Sequence, residues 1–546
     1  MVEKIPVEKN KIYTTEVVDM GSEGQGICKI DGFTVFVPNV IEGEKCQILI
    51  VNVRKNFAFG KLVEIIQSSP FRTKPACPII KRCGGCSQQH IKYDAQLDFK
   101  TKRVKDAIER IGKLKDVEVL PTIGMENPYN YRNKAQFPIG TDKNGIAIGF
   151  YAQRSHEIIN CDSCKIQHPV CDEVISIVRN FIKEFGISTY DEKTNKGLLR
   201  HVLVRTGFVT GEVMVCLVTN GAKIPDSDVL IERLAKVEGM TSIVINTNRI
   251  RTNVILGDKT KTLYGKDYIT DYIGDVKFEI SPLSFFQVNP IQTEVLYSKV
   301  IEFADLKGNE NVLDIYCGIG TISLFLAKKA KQVLGVEIIP EAVNDARKNA
   351  VINEIANADF EIGSAEDIVP IIAKKGFVAD VVVVDPPRKG CDIEVIDSLL
   401  EMKPKKIVYV SCEPSTFARD AKMLCENGYS VEVVQPVDQF CHTTHVETVV
   451  LLSKLKSTKS IEVKIDLDEM DLTQAESKAT YDEIKAYVLD KYGFKVSQLY
   501  IAQVKRKHGI IERENYNTGE GKAKVPQVPA DKETAIEDAL RYFQMI

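Results

Sequence analysis

Residues 311–320 restrict the possible folds more than any other stretch. NVLDI (Asn311–Ile315) is a short apolar run, followed by Tyr316-Cys317-Gly318-Ile319-Gly320 and a helical run from Thr321. A strand, a glycine turn and a helix in that order predict a parallel sheet, because the helix carries the chain back to start the next strand. The pattern repeats downstream. The apolar run 332–336 ends at Glu337 and precedes a helix over 339–353; 380–384 ends at Asp385-Pro386-Pro387; 407–410 ends at Ser411-Cys412-Glu413-Pro414. A last run, 448–452, follows His442, His445 and Glu447. Residues 281–455 are therefore predicted to form an α/β domain of Rossmann-like type.

Such sheets bind ligands at the carboxyl ends of their strands. The third glycine of G-x-G-x-x-G, which suits a diphosphate, is Ser323 here, so the crevice fits a nucleoside ligand without one. Glu337, at the end of the second strand, is placed to accept from both ribose hydroxyls. Each acid alone reads equally well as an ordinary strand-end residue; three strands delivering polar groups to one edge favour a cofactor site. A thiolate at Cys412 on that edge can attack an electrophile held beside the cofactor, with Glu447 as a general base. A lone cysteine near a strand is more commonly a packed core residue.

The 546-residue chain has room for about three to four domains at roughly 100–200 residues each. Residues 1–70 read as an OB-like β-barrel, from β-branched and aromatic runs at 12–18, 32–37, 45–53 and 57–66 punctuated by Gly21, Gly24, Gly26 and Gly43. Residues 71–280 read as a central α+β region with a helix near 93–111. Residues 456–478 read as a charged linker and 479–546 as a small helical extension. There, Thr480 and Glu483 suggest a capping box, Ser497 a second cap, and the arrangement is helix-turn-helix-like. Its basic end, Lys505-Arg506-Lys507, reads either as a nucleic-acid contact or, preferably, as a solvated charge cluster.

Net charge is only −3, but residues 71–135 carry 14 Lys or Arg against 7 Asp or Glu, an excess that suits a phosphate backbone. No signal peptide or membrane-spanning run is visible, so a cytoplasmic protein without a membrane partner is expected. In a reducing compartment the 14 cysteines are metal ligands, nucleophiles or core residues rather than disulfides. Cys77, Cys83 and Cys86 follow C-x5-C-x2-C spacing with Gly84 and Gly85 in the tight loop, and Cys161 or Cys164 can supply a fourth thiolate. Spacing alone leaves zinc and iron–sulfur open.

Several motifs then occur in a telling order: YRNKAQF (131–137), SFFQVN (284–289), DIYCGIGT (314–321), DPPRKG (385–390), SCEPSTFARD (411–420) and HTTHVET (442–448). Over residues 1 to about 455 the chain resembles the RNA 5-methyluridine (uracil-C5) methyltransferase family. The likeness is to its iron–sulfur branch with an N-terminal TRAM barrel, which acts on 23S ribosomal RNA. The resemblance implies an S-adenosyl-L-methionine-dependent enzyme that acts as a monomer on a flipped-out uridine. By it, Cys412 is the nucleophile and Glu447 the base, while Gln287, Tyr316, Glu337 and Asp385 bind S-adenosylmethionine. Asp385 is also a candidate for the uracil edge. Cys77, Cys83, Cys86 and Cys164 would hold a 4Fe–4S cluster (alternative: zinc). Cys441 departs from the family, which commonly has proline there. An amino- or small-molecule methyltransferase would leave the barrel and Cys412 idle, and a purely RNA-binding module would need neither Cys412 nor Glu447.

Overall fold

The computed structural model describes residues 5–153, 155–455, 481–508, 528–543 and 545–546. The chain divides into two compact units, 1–458 and 459–546. The first opens with a closed barrel of β1 (Ile12–Met20), β2 (Gly26–Ile30), β3 (Phe33–Val37), β4 (Lys45–Val53) and β5 (Phe57–Gln67), in the order β1-β2-β3-β5-β4. Alternation drives closure: Val17, Cys28, Val35, Val37, Ile48, Ile50 and Ala58 fill the lumen. The sequence runs missed β2, whose GICKI is short and begins with glycine; without it the barrel would keep two open edges.

After the thiol-bearing segment comes α1 (Tyr93–Arg110). A seven-stranded sheet follows, ordered β12-β11-β10-β9-β6-β7-β8. It comprises β6 (Lys134–Asp142), β7 (Gly145–Tyr151), β8 (Ile158–Asn160), β9 (Leu199–Thr206), β10 (Val213–Thr219), β11 (Met240–Thr247) and β12 (Lys259–Gly265). Helices α2 (Val170–Glu184) and α3 (Ser227–Leu234) contribute apolar residues to the core shared with this sheet. The hairpin β13 (Ile269–Ile273) and β14 (Val276–Ile280) leads to α4 (Pro290–Ala304).

The second large sheet runs β17-β16-β15-β18-β19-β21-β20. Its strands are β15 (Asn311–Ile315), β16 (Gln332–Glu337), β17 (Ala358–Ile362), β18 (Val381–Val384), β19 (Lys406–Ser411), β20 (Tyr429–Val437) and β21 (Glu447–Lys454). The crossover helices are α5 (Thr321–Ala327), α6 (Pro340–Ile352), α7 (Ala365–Lys374), α8 (Ile393–Met402) and α9 (Pro414–Glu426). The first five strands are parallel, and β18, paired on both sides by β15 and β19, can be four consecutive valines, all buried. Strand order reverses at β15, so a crevice lies outside the carboxyl ends of β15 and β18. β21 enters antiparallel to β19, with Ser411 opposite Thr448. That inversion brings the residue after β19 and the first residue of β21, Cys412 and Glu447, to the same edge.

In the second unit, α10 (Tyr481–Tyr492), α11 (Gln498–Lys507) and α12 (Ala530–Tyr542) pack Ile484, Val488, Ile501, Val504, Ile536 and Leu540 together. Ser497 caps α11 by accepting from the Tyr500 N–H. The linker and Thr480 of the capping box lie outside the described residues. Lys505 lies over the Tyr481 ring and Lys507 pairs with Glu533, so part of the basic end is used within the unit itself. Among the described residues no helix is long and apolar enough to cross a membrane.

Candidate active site

The turn after β15 folds back on β16. The Tyr316 and Cys317 N–H groups donate to the Val336 carbonyl at 2.9 and 3.1 Å. This forces Tyr316 to φ 69°, a left-handed conformation that costs a non-glycine residue about 1 kcal/mol or more and is typical of functional turns. Gly318 (φ 57°) donates its N–H to Glu337 Oε2 at 3.1 Å, and Ile339 N–H donates to Oε1 at 2.9 Å. The Glu337 carboxylate is thus fixed by backbone amides while lone pairs remain for a ligand. A Cβ built on Gly318 would meet nothing within 4 Å, whereas one on Gly320 would press on Phe360 and Ala346. The first glycine leaves the crevice open and the second lets α5 approach α6. Ser323, in place of a third glycine, donates to the buried Asp314 at 2.5 Å; burial pushes that carboxyl up to about 7. The buried Tyr316 hydroxyl has no partner among the described residues.

Gln287 lies in the segment between β14 and α4. This segment is tied down by the buried Arg205 guanidinium, which donates to the Ser284 carbonyl, and by Asn133, whose amide donates to the Gln287 carbonyl at 2.9 Å. The Gln287 side chain is nearly buried and accepts only a long bond from Gln439, 3.5 Å.

Asp385 ends β18 with its carboxyl free of any hydrogen bond among the described residues, and burial raises it to about 6. Glu447 is buried and likewise without a donor. Burial, then the charge on Asp385, raise it to about 8, with Arg388 opposing. Cys412 is half-buried; burial, then Glu447 and Asp385, raise it to about 12, again with Arg388 opposing. Charge on Asp385 thus disfavours ionisation of Glu447, and charge on either carboxyl disfavours ionisation of Cys412. Such a pocket favours a cation, and a sulfonium is one.

The loop 438–446 carries Glu447 into place and is held on every side. The buried Lys100 ammonium donates to Asp438 and, at 3.1 Å, to the Phe440 carbonyl; the Tyr93 hydroxyl donates to Asp438 at 2.7 Å. The Ser87 and Gln88 N–H groups both donate to the His442 carbonyl at 3.0 Å, and Tyr131 donates to that of Cys441 at 3.1 Å. Arg103 donates to the Thr444 carbonyl at 2.7 Å and grips Glu413 with two bonds of 3.0 Å. Sequence reasoning missed Lys100, Arg103 and Asp438. Their partners lie more than 300 positions away, and nothing local marks them. Cys441 is wholly buried with Met125, Tyr131 and Ile166, so where the family commonly has proline this chain has a core residue.

Cys86 and Cys164 pack against that same small core. Burial raises the Cys77, Cys83 and Cys86 thiols, and Cys164 adds to the shift of each. A hydrogen bond from Cys161 pulls Cys164 down to about 7. Gly85 N–H donates to the Cys83 sulfur at 3.4 Å and the Gln89 amide to that of Cys86 at 3.3 Å. All five are free thiols. Among the described residues no three His, Cys, Asp or Glu side chains are grouped as a single metal ion requires.

Comparison with known proteins places this geometry. A family model described as tRNA (Uracil-5-)-methyltransferase matches residues 92–455, and one described as TRAM domain matches residues 6–63. A Bacillus cereus protein named an uncharacterized RNA methyltransferase is 52% identical over 452 residues, 83% of this chain and 98% of its own. A Clostridium tetani protein of the same name is 53% identical over 454 residues, 83% and 98%. Among solved structures, the Pyrococcus abyssi tRNA (uracil-54, C5)-methyltransferase in complex with S-adenosyl-L-homocysteine matches with a TM-score of 0.65. It is 34% identical, and the match covers 80% of this chain and 99% of that one. The chain therefore belongs to the tRNA (uracil-5-)-methyltransferase family: it is an S-adenosylmethionine-dependent RNA methyltransferase with an N-terminal TRAM barrel.

Proposed function

We propose that the protein methylates C5 of a uridine in 23S ribosomal RNA through a covalent bond to Cys412. The carrying observation is the meeting of Cys412 with two carboxyl groups that lack donors among the described residues, Glu447 and Asp385, at one sheet edge. S-adenosylmethionine supplies an electrophilic methyl group, and Gln287, Tyr316, Glu337 and Asp385 are the residues to hold it. The open face at Gly318, the unpartnered Tyr316 hydroxyl and the amide-fixed Glu337 carboxylate suit that ligand.

Uracil C5 is a weak nucleophile. The Cys412 thiolate adds to C6, and the electron pair of the C5–C6 double bond moves toward O4, making C5 enolate-like. C5 then bonds the methyl carbon as its bond to sulfur breaks. The Glu447 carboxylate removes the C5 proton; the C–H pair re-forms the double bond and expels the Cys412 thiolate. Overall one proton is released. Burial and the two carboxyls disfavour the thiolate, and Arg388 is the cation on hand to favour its ionisation. Because C6 is covered in a stacked pair, the target must be unpaired or flipped out. Both reacting residues come from one chain, in keeping with a monomer.

Within this reading residues 1–70 bind RNA, 71–280 brace the site, 281–455 perform the chemistry, and 479–546 are an appendage beyond the linker 456–478. Cys77, Cys83, Cys86 and Cys164 are assigned to a 4Fe–4S cluster rather than zinc. The mutual influence of these thiols and the N–H groups directed at Cys83 and Cys86 suit thiolate ligands of such a cluster. Such a cluster would tie the segment behind the catalytic loop to the strand region carrying Cys164. Iron and sulfide in anaerobically purified protein support it; a colourless protein containing zinc overturns it. The choice of RNA is tested by mapping 5-methyluridine in 23S rRNA and tRNA of a deletion strain with and without the gene restored. Loss confined to tRNA would favour the substrate for which the Pyrococcus abyssi relative is named.

A further inference from the structure

The barrel wears aromatic residues on the outside. On β3 and β5, Val35, Val37 and Ala58 point into the lumen, so their neighbours Phe36, Phe57 and Phe59 point outward, where polar residues are the rule. The three rings contact one another with centroids 5.5–6.1 Å apart and remain half-buried. They are not covered by the neighbouring chain. A cavity of about 680 Å³ is lined by Phe36, Phe59 and Gln25 of the barrel, Gly84 and Gly85 of the thiol-bearing segment, and Tyr151 at the end of β7. That volume is in the range of small-ligand sites. Packing between barrel and sheet would have filled the space, and a plain solvent crevice has no use for a cluster of phenylalanines.

The cavity adjoins the reaction site. Gly24, on its rim, faces the methyl group of Thr444, close enough that a Cβ there would come within 2.7 Å. Thr444 lies three residues before Glu447, in the loop that Ser87, another lining residue, backs through its N–H. The cavity and the Glu447 carboxyl are thus reached from two sides of one strip of chain.

We propose that this cavity receives a second unpaired base of the substrate RNA, stacked on Phe36 and Phe59. The inference rests on the RNA-methylating function proposed above. A strand that extrudes its target uridine leaves neighbouring bases without stacking partners, and an aromatic slot replaces the lost contact.

The test uses the full-length enzyme and single-stranded RNA oligonucleotides of about ten nucleotides, each with one uridine and one 2-aminopurine moved stepwise from four positions before to four after it. Stacking in the cavity quenches the fluorophore at one or two offsets only. Phe36→Ala and Phe59→Ala remove that quenching and raise KM about tenfold with kcat unchanged, as loss of one base stack requires; Phe36→Tyr retains both. Quenching that is absent at every offset, or unaltered in both alanine variants, overturns the proposal. Product 5-methyluridine is measured in the same samples. Wild-type enzyme that methylates while the variants match it in KM sinks the cavity alone. Wild-type enzyme that methylates no RNA, cellular RNA from the deletion strain included, sinks the parent reading and this one with it.

Discussion

At the carboxyl edge of the β15-containing sheet, Glu447 and Asp385 stand without a donor and Cys412 is held protonated by its surroundings, whereas around residues 77–90 the sulfurs of Cys83 and Cys86 each receive an N–H. Both regions touch the loop 438–446 and burial raises the thiols of both, yet only the first sets its thiol against carboxyls that are themselves shifted upward. Unsatisfied acids at a crevice cost stability and are kept where a reaction uses them. Cushioned thiols serve a structural ligand or a packed wall. The contrast is what the proposed roles require, chemistry at position 412 and bracing at positions 77, 83, 86 and 164.

The sharpest way to break it is Cys412→Ala. Methyl transfer should fall to background, a loss of about 10⁴-fold or more, while calorimetry shows S-adenosylmethionine binding within a factor of two. Appreciable turnover on RNA methylated by the wild type would end the covalent reading. Glu447→Gln should cost about 10²–10⁴-fold in turnover, because the adduct forms but cannot shed the C5 proton. A denaturing gel should show the RNA–protein adduct accumulating in this variant and not in Cys412→Ala. A smaller effect is expected on the braced side: Cys83→Ser should lose bound iron and lower kcat about tenfold through the shifted loop, while Cys161→Ser keeps its iron. Equal iron content in the two variants would remove Cys83 from the ligand set.

How much of this was legible beforehand differs between the same two regions. The strands ending at Glu337, Asp385 and Cys412 were readable because a parallel sheet demands apolar runs, and chemistry demands polar residues just past them. Their bounds came within a residue or so: the run 332–336 with Glu337 is β16 in full. β2 escaped because a five-residue strand beginning with glycine carries little periodicity. The bracing of the loop escaped because it is long-range. Lys100 is one lysine among many on a helix, and only the fold reveals that its ammonium is buried against Asp438. Lys100→Met tests that brace. It leaves the Asp438 carboxylate buried with only the Tyr93 hydroxyl, a loss of about 3–5 kcal/mol, visible as an early unfolding transition in denaturant. Replacing both partners with apolar residues should recover much of it.

The subtlest expectation concerns pH and the cost of an unpartnered acid. The folded state raises Glu447 from its ordinary value of 4.5 to about 8, so the folded protein holds that proton more tightly than the unfolded chain does. The resulting stabilisation is complete below pH 4.5, declines as pH rises between 4.5 and 8, and is gone above 8. Glutamine has the shape of the protonated acid and no proton to lose. Glu447→Gln should therefore match the wild type near pH 4.5 and exceed it increasingly toward pH 9, by about 2–4 °C in Tm for each kcal/mol recovered. Asp385, raised in the same direction, titrates in both proteins and largely drops out of the difference. A Cys83→Ser protein keeps Glu447, so the acid's effect cancels against the wild type and its Tm deficit should not shrink or grow across this window. If Glu447→Gln instead loses Tm uniformly with pH, its carboxylate has a structural partner and the site is not held under electrostatic strain.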